Sequence, residues 1–270
     1  KRRLSGALPY IFLAAAWLAW ERYYLTSAQI SWPWLVLGNA FADTVSLVQW
    51  YSVLGALGGS LWVWTTNLAL FGLMVSLSDG RMAYWNGKAR IAALAGTVVA
   101  LFGPMLWSAC VRFEEEGPSM EVIIGQPNLD PYEKFESLTQ AQQDVRFLLQ
   151  LEKAEWPSDS AAVLVLAPET FTSPLYMDDV RGNATFARFR EFLERHPSAR
   201  LLFGASSYDR TVSHAAPDVC SYDLGAQPDG RHLWYTAHNT AVLMEASGDY
   251  FAYHKSKLVV GVESTPYPKV

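Results

Sequence analysis

The chain has 270 residues, 51% of them hydrophobic and 14% aromatic, with a formal net charge of −5. That acidic balance argues against nucleic acid as a partner. Two cysteines, Cys110 and Cys220, are too few for a disulfide framework and are read as unpaired. No Cys or His spacing resembles a zinc site, and no metal or cofactor is expected.

The average hides a split. Residues 1–112 hold 8 Lys and Arg against 3 Asp and Glu, a net charge of +5, whereas residues 113–270 hold 13 against 23, a net charge of −10. A boundary near residues 112–118 follows, giving an apolar, slightly basic first domain (1–112) and a polar, acidic second domain (113–270).

The first domain is read as membrane helices. Residues 91–111 carry no charge over 21 positions, enough to cross a hydrocarbon core as a helix. Residues 51–77 are also uncharged and include Gly55, Gly58 and Gly59, whose spacing on one helix face would let helices approach closely. Residues 4–20 form a shorter third candidate behind Lys1, Arg2 and Arg3. No small-residue cleavage site follows it, which argues against a signal peptide. The bland alternative is a set of buried helices in a large soluble protein. Basic residues lie before the first span and, as Arg81, Lys88 and Arg90, between the second and third, so these ends are expected in the cytoplasm. Trp32, Trp34 and Trp50 would then be interfacial anchors, and everything after Arg112 would lie outside, in the periplasm of a two-membrane bacterium.

In the second domain the period changes. "MEVIIGQ", "AAVLVLA", "RLLFGAS" and "TAVLMEA" have the length and composition of buried strands. Between the first two lies a helix-forming stretch with apolar residues at Leu138, Val145, Leu148 and Leu149. Between the second and third, Asn183 reads as an N-cap, Phe186, Phe189 and Leu193 share a face, and Pro197 follows the stop. Residues 209–232 read as a loop or an irregular hairpin. Alternating strands and helices predict an α/β domain, in which reactive groups gather at the carboxyl ends of strands. That draws attention to Glu169, directly after a strand and Pro168, and to Lys255, with Glu263 beyond it. Taken singly, Glu169 is either a general base or a solvated loop acid, and Lys255 either an oxyanion-stabilising cation or an ordinary salt-bridge partner. Lys257 shares the strand parity of Lys255, and periodicity does not choose between them.

The motifs taken together resemble a family. "LPYIFLAAAWLAWERYYLTSAQISWPW" carries Pro9, Trp17, Glu21, Trp32, Pro33 and Trp34 in an order similar to that of the apolipoprotein N-acyltransferases. "VIIGQPNLDPYEKF" looks like that family's first catalytic strand and loop. "LAPETF" resembles its Trp-Pro-Glu motif with Ala167 in place of tryptophan, and "HNTAVLM" its Tyr-Asn-Thr strand with His238 before Asn239. "YHKSKLVVGVESTP" resembles its lysine motif, with Val260 replacing proline and Val262 splitting the Gly-Glu pair.

The resemblance implies about three transmembrane helices followed by part of a nitrilase-like α-β-β-α sandwich, multi-pass in a bacterial inner membrane. It implies a Glu-Lys-Cys triad, with Glu169 as base and Lys255 as oxyanion holder. Glu263 would be a supporting glutamate, and Phe135 and Asn239 would stand near the substrate. The partners implied are a phospholipid acyl donor, a diacylglyceryl apolipoprotein acceptor and membrane lipids. The family's nucleophilic cysteine follows the lysine motif, so the chain is expected to be an internal piece of a longer enzyme, inactive alone. Cys220 lies before Lys255 in "PDVCSYD" and does not match the nucleophile. The alternatives are a membrane-tethered amidase of nitrilase type and a non-catalytic binding domain.

Overall fold

The computed structural model describes residues 6–78, 80, 86–112, 117–130, 132–157 and 162–267, with the side chain of Phe135 outside the description. The chain divides into two units, Lys1–Glu116 with Leu258–Val270, and Gly117–Lys257. Among the expected orientation signposts, Lys1, Arg2, Arg3 and Arg81 lie outside the described residues.

The first unit contains α1 (Leu8–Thr26), α2 (Tyr51–Ser78) and α3 (Gly87–Cys110). Two of these, α2 and α3, are long and apolar enough to cross a membrane. Little of either is buried within the protein, unlike the core helix of a soluble domain, and the pair suggests a membrane protein. Of the about three spans expected, two are found among the described residues. The third candidate lies mostly on α1, whose 19 residues include Glu21 and Arg22. Glu21 is buried, and its Oε1 accepts from Trp17 Nε1 at 3.0 Å and from the backbone N–H of Leu37 at 2.9 Å.

A proline couples α2 to α3. Pro104 lies inside α3 and has no N–H, so the carbonyl four residues earlier, Ala100, loses its helical donor. Trp62 Nε1 and Thr66 Oγ1 of α2 both donate to that carbonyl, at 2.8 and 3.1 Å. Satisfying a bare carbonyl from a neighbouring helix is what an apolar surrounding demands. The glycines of α2 divide their roles. Gly55 sits at a kink with φ 64°, a conformation glycine adopts without steric cost, so it does not extend a smooth helix face. Gly59 permits the close approach of the 3-10 turn Leu37–Phe41, since a Cβ there would stand 2.8 Å from the Cα of Gly38, whereas a Cβ on Gly58 would meet Leu54 and the Trp50 ring.

The second unit is a seven-stranded mixed sheet with two helices. Its strands are β1 (Glu121–Ile124), β2 (Val163–Leu166), β3 (Thr172–Tyr176), β4 (Ala199–Ser213), β5 (Tyr222–Ala226), β6 (His232–Glu245) and β7 (Tyr250–His254). The main order is β1-β2-β4-β6-β5, with β3 on β4 and β7 on β6. Pairing is parallel from β1 through β2 to β4 and antiparallel between β4, β6, β5 and β7. The four expected strands are present. The two C-terminal ones run much further than their apolar cores, because their polar ends pair with each other and with β5. Residues 209–232 hold the end of β4, an irregular stretch, and β5 with the turn that starts its hairpin with β6.

Helices α4 (Gln140–Leu151) and α5 (Ala184–Arg195) pack on one face of the sheet. Thr139 and Gln142 form a reciprocal capping box at the start of α4. The face α4 buries is Phe147 and Leu151 together with Gln143 and Asp144, whereas Val145 and Leu149 are exposed. The polar Asp144 takes a place on the buried face that these two apolar residues do not. Its carboxylate is fully buried because Arg188 and Thr185 of α5 reach it, at 2.9 and 2.7 Å. The cap of α5 is as expected: the Asn183 side chain accepts from the N–H groups of Thr185 and Phe186, and Phe186, Phe189 and Leu193 are buried. On the sheet's other face Ile124, Phe251 and Tyr253 are exposed.

Candidate functional site

The site begins with a backbone constraint. Strand β2 ends at Leu166, and the chain continues beside β4: the N–H of Ala167 donates to Leu202 O at 2.8 Å and that of Gly204 to Pro168 O at 3.1 Å. The turn then passes directly over Gly204. A Cβ there would lie 2.4 Å from Thr170 N and 2.6 Å from Glu169 Cα, so only glycine lets the strand carry the Glu169 turn this closely. Thr170 completes the turn at φ 49°, a left-handed conformation unusual for a β-branched residue. Backbone held in such a state by its surroundings is a recurring feature of functional sites.

Glu169 projects from this turn and is largely open to solvent. Its Oε1 accepts from Lys255 Nζ at 3.0 Å and from Asn239 Nδ2 at 2.5 Å. The two donors are neighbours on adjacent chains, since the N–H of Lys255 also donates to the carbonyl of Asn239 at 2.7 Å. Antiparallel pairing of β6 with β7 thus brings Lys255, just past the end of β7, alongside Asn239. Three residues from separate stretches of sequence meet on one carboxylate oxygen.

A fourth group escaped sequence reasoning. Lys134 Nζ donates to Thr170 O at 2.8 Å and contacts Thr170 Oγ1 at 3.4 Å. Burial holds its ammonium below the ordinary lysine range, while the nearby charge of Glu169 works in the opposite direction. Lys134 therefore braces the strained turn and adds positive potential beside Glu169. In the sequence Lys134 stands in "DPYEKF", directly before Phe135.

Of the other expected residues, Phe135 falls in the turn Glu133–Ser137, and its side chain lies outside the description. Glu263 belongs to the first unit, where its carboxylate accepts from the N–H of Val259 at 2.7 Å. Cys110 and Cys220 are both unpaired and exposed. A pocket of about 330 Å³ opens beside the convergent groups, lined among others by Ala167, Glu169, Asn239, Tyr253 and Lys255. A carboxylate touching an ammonium and an amide at a pocket's edge can take a proton from an incoming nucleophile. The lysine beside it can hold a negative charge that develops on oxygen.

No family profile matches the chain. It is 26% identical, over 276 residues, to the apolipoprotein N-acyltransferase of Chlorobaculum tepidum, an alignment that covers 97% of this chain and 45% of that protein. The chain therefore spans a little under half the length of the relative it matches. The resemblance to apolipoprotein N-acyltransferases carried by the motifs is matched by similarity along nearly all of the sequence.

Proposed function

We propose that this chain supplies the general base and the oxyanion-holding lysine of a membrane N-acyltransferase that acylates the N-terminal amine of diacylglyceryl-cysteine in apolipoproteins. In this reading Glu169 takes the proton of a cysteine thiol located beyond Val270. The thiolate attacks an ester carbonyl of a phospholipid, and Lys255 holds the tetrahedral oxyanion. The oxyanion collapses to a thioester, and Glu169 returns the proton to the departing lysophospholipid alkoxide. The lipoprotein amine then attacks the thioester, Glu169 accepts its proton, and the thiolate leaves. Asn239 holds the Glu169 carboxylate in place; the family resemblance assigns Glu263 a supporting role and Phe135 a role towards the acyl chain.

The observation that carries the reading is the meeting of Lys255 and Asn239 on Glu169 Oε1, beside a pocket, in a chain with two apolar helices. The open sheet face bearing Ile124, Phe251 and Tyr253 supports a nitrilase-like α-β-β-α sandwich, in which a second sheet would stack there. Helix α1 would be the third span, with Oε1 of the buried Glu21 accepting from Trp17 and from the N–H of Leu37. The basic flanks would face the cytoplasm and the second unit the periplasm.

The test is intact-mass analysis of the complete protein in detergent with a phospholipid donor. An acyl adduct on a cysteine, discharged by a diacylglyceryl-cysteine peptide with N-acylation of that peptide, is expected. Glu169→Gln should slow adduct formation by roughly 10²–10⁴-fold. Lys255→Met should slow it by roughly 10²–10³-fold. Discharge in water without peptide would indicate a hydrolase instead, and no adduct under any condition would indicate a binding domain.

A further inference from the structure

Behind the strands that carry Asn239 and Lys255 lies a second cluster of polar groups. His238 precedes Asn239 and His254 precedes Lys255, so both imidazoles point to the sheet face opposite those two residues. There they meet Asp209 of β4. His238 Nε2 is 3.2 Å from Asp209 Oδ2 and His254 Nε2 is 3.8 Å from it, with the two rings stacked 4.2 Å apart. All three potential donor atoms lie within 4.8 Å of one another, and all three residues are half-buried.

We propose that Asp209, His238 and His254 form a binding site for a divalent transition-metal ion of the zinc type, on the sheet face opposite Glu169. Two imidazole nitrogens and one carboxylate are a donor set suited to such ions, and three protein ligands leave one position open. A tetrahedral ion with bonds near 2.0–2.1 Å holds its donors about 3.3 Å apart, close to the separations found here.

The surroundings are also arranged for it. Thr240 Oγ1 lies 2.7 Å from His254 Nδ1 and 2.6 Å from Ser207 Oγ, and both hydroxyl residues are buried. With Nδ1–H donating to Thr240 and the Thr240 hydroxyl donating to Ser207, the Nε2 lone pair of His254 is fixed towards Asp209. Such an orienting bond on the far nitrogen is the usual companion of a metal-ligating histidine. An ion here ties β7 to β4 and β6, one residue from Lys255 and one from Asn239. The ligands come from three strands with no motif spacing, so no zinc site is legible in the sequence.

The experiment is equilibrium dialysis of chelator-treated, detergent-solubilised complete protein against Zn2+. One ion per chain is expected to be retained by the wild type. His238→Ala and His254→Ala should each weaken its affinity by at least about tenfold, and Thr240→Val by about 10–100-fold with every ligand intact. Circular dichroism of each variant checks folding, and the visible spectrum of the Co2+-loaded wild type reports nitrogen and oxygen ligation without any substitution. Retention of no ion, unchanged affinity in the folded variants, or a Co2+ spectrum of a fully hydrated ion would each overturn the proposal.

Discussion

At the scale of single residues, the site depends on an atom that is missing. Gly204 contributes no side chain, yet a Cβ at that position would stand 2.4 Å from Thr170 N and drive the Glu169 turn off β4. Gly204→Ala is therefore expected to cost roughly 1–3 kcal/mol of stability through overpacking. Because a displacement of about 1 Å at a catalytic group can cost about 10²-fold, it should also lower the acylation rate by that order. Urea denaturation and adduct kinetics on one variant check both. Glu169 and Lys255 could be singled out in the sequence because each follows a strand and bears chemistry of its own. Gly204 could not, since its requirement appears only when a distant turn crosses it. Lys134 stayed hidden for a similar reason: its role comes from the Thr170 carbonyl, 36 positions away.

At the scale of elements, the helices show where periodic reasoning works and where it stops. The amphipathic face of α5 was legible because its buried residues are aromatic and aliphatic and its cap is local. That of α4 was not legible from its apolar residues, because Gln143 and Asp144 take buried positions normally held by apolar side chains while Val145 and Leu149 are exposed. Asp144 can do so only with partners from another element, which no window on α4 contains. Its carboxylate accepts from Gln140 at 2.8 Å as well as from Thr185 and Arg188. Asp144→Ala should therefore lower stability by roughly 3 kcal/mol, since removing one member of a buried charged network strands the others. Asp144→Asn, which keeps the shape and some of the hydrogen bonds, should cost less. Chemical denaturation of the two variants side by side separates the charge from the packing. In the first unit the Pro104–Ala100–Trp62 arrangement follows the same logic: a local defect is repaired by a partner from the neighbouring helix.

At the scale of the whole molecule, the change in composition near Arg112 and the charge asymmetry predict different surroundings for the two stretches and a periplasmic side for the second. Cys220 gives a direct test, being exposed in the turn that leads into β5. In spheroplasts expressing a Cys110→Ser variant, a membrane-impermeant maleimide should modify the peptide carrying Cys220 without lysis. Modification only after lysis would reverse the orientation. Overall topology was less legible than either half. The parallel order β1-β2-β4 follows from strand and helix alternation, but the antiparallel β4–β6–β7 half pairs apolar stretches whose direction no helix between them announces.

Those long strands also carry a dynamic consequence. The β4–β6 ladder pairs 14 positions, from Arg200 with Glu245 to Ser213 with His232. Along its first half Leu201, Phe203, Ala205 and Ser207 are buried, whereas Thr211 and Val212 near its far end are exposed. Hydrogen exchange should therefore divide a single continuous strand, with amides near 211–213 opening by local fraying and those of 201–207 only with global unfolding. The bond from Gly204 N to Pro168 O belongs to the slow half. The carboxylate at the mouth of the pocket, though itself exposed, is thus held by the slowest-exchanging stretch of the sheet.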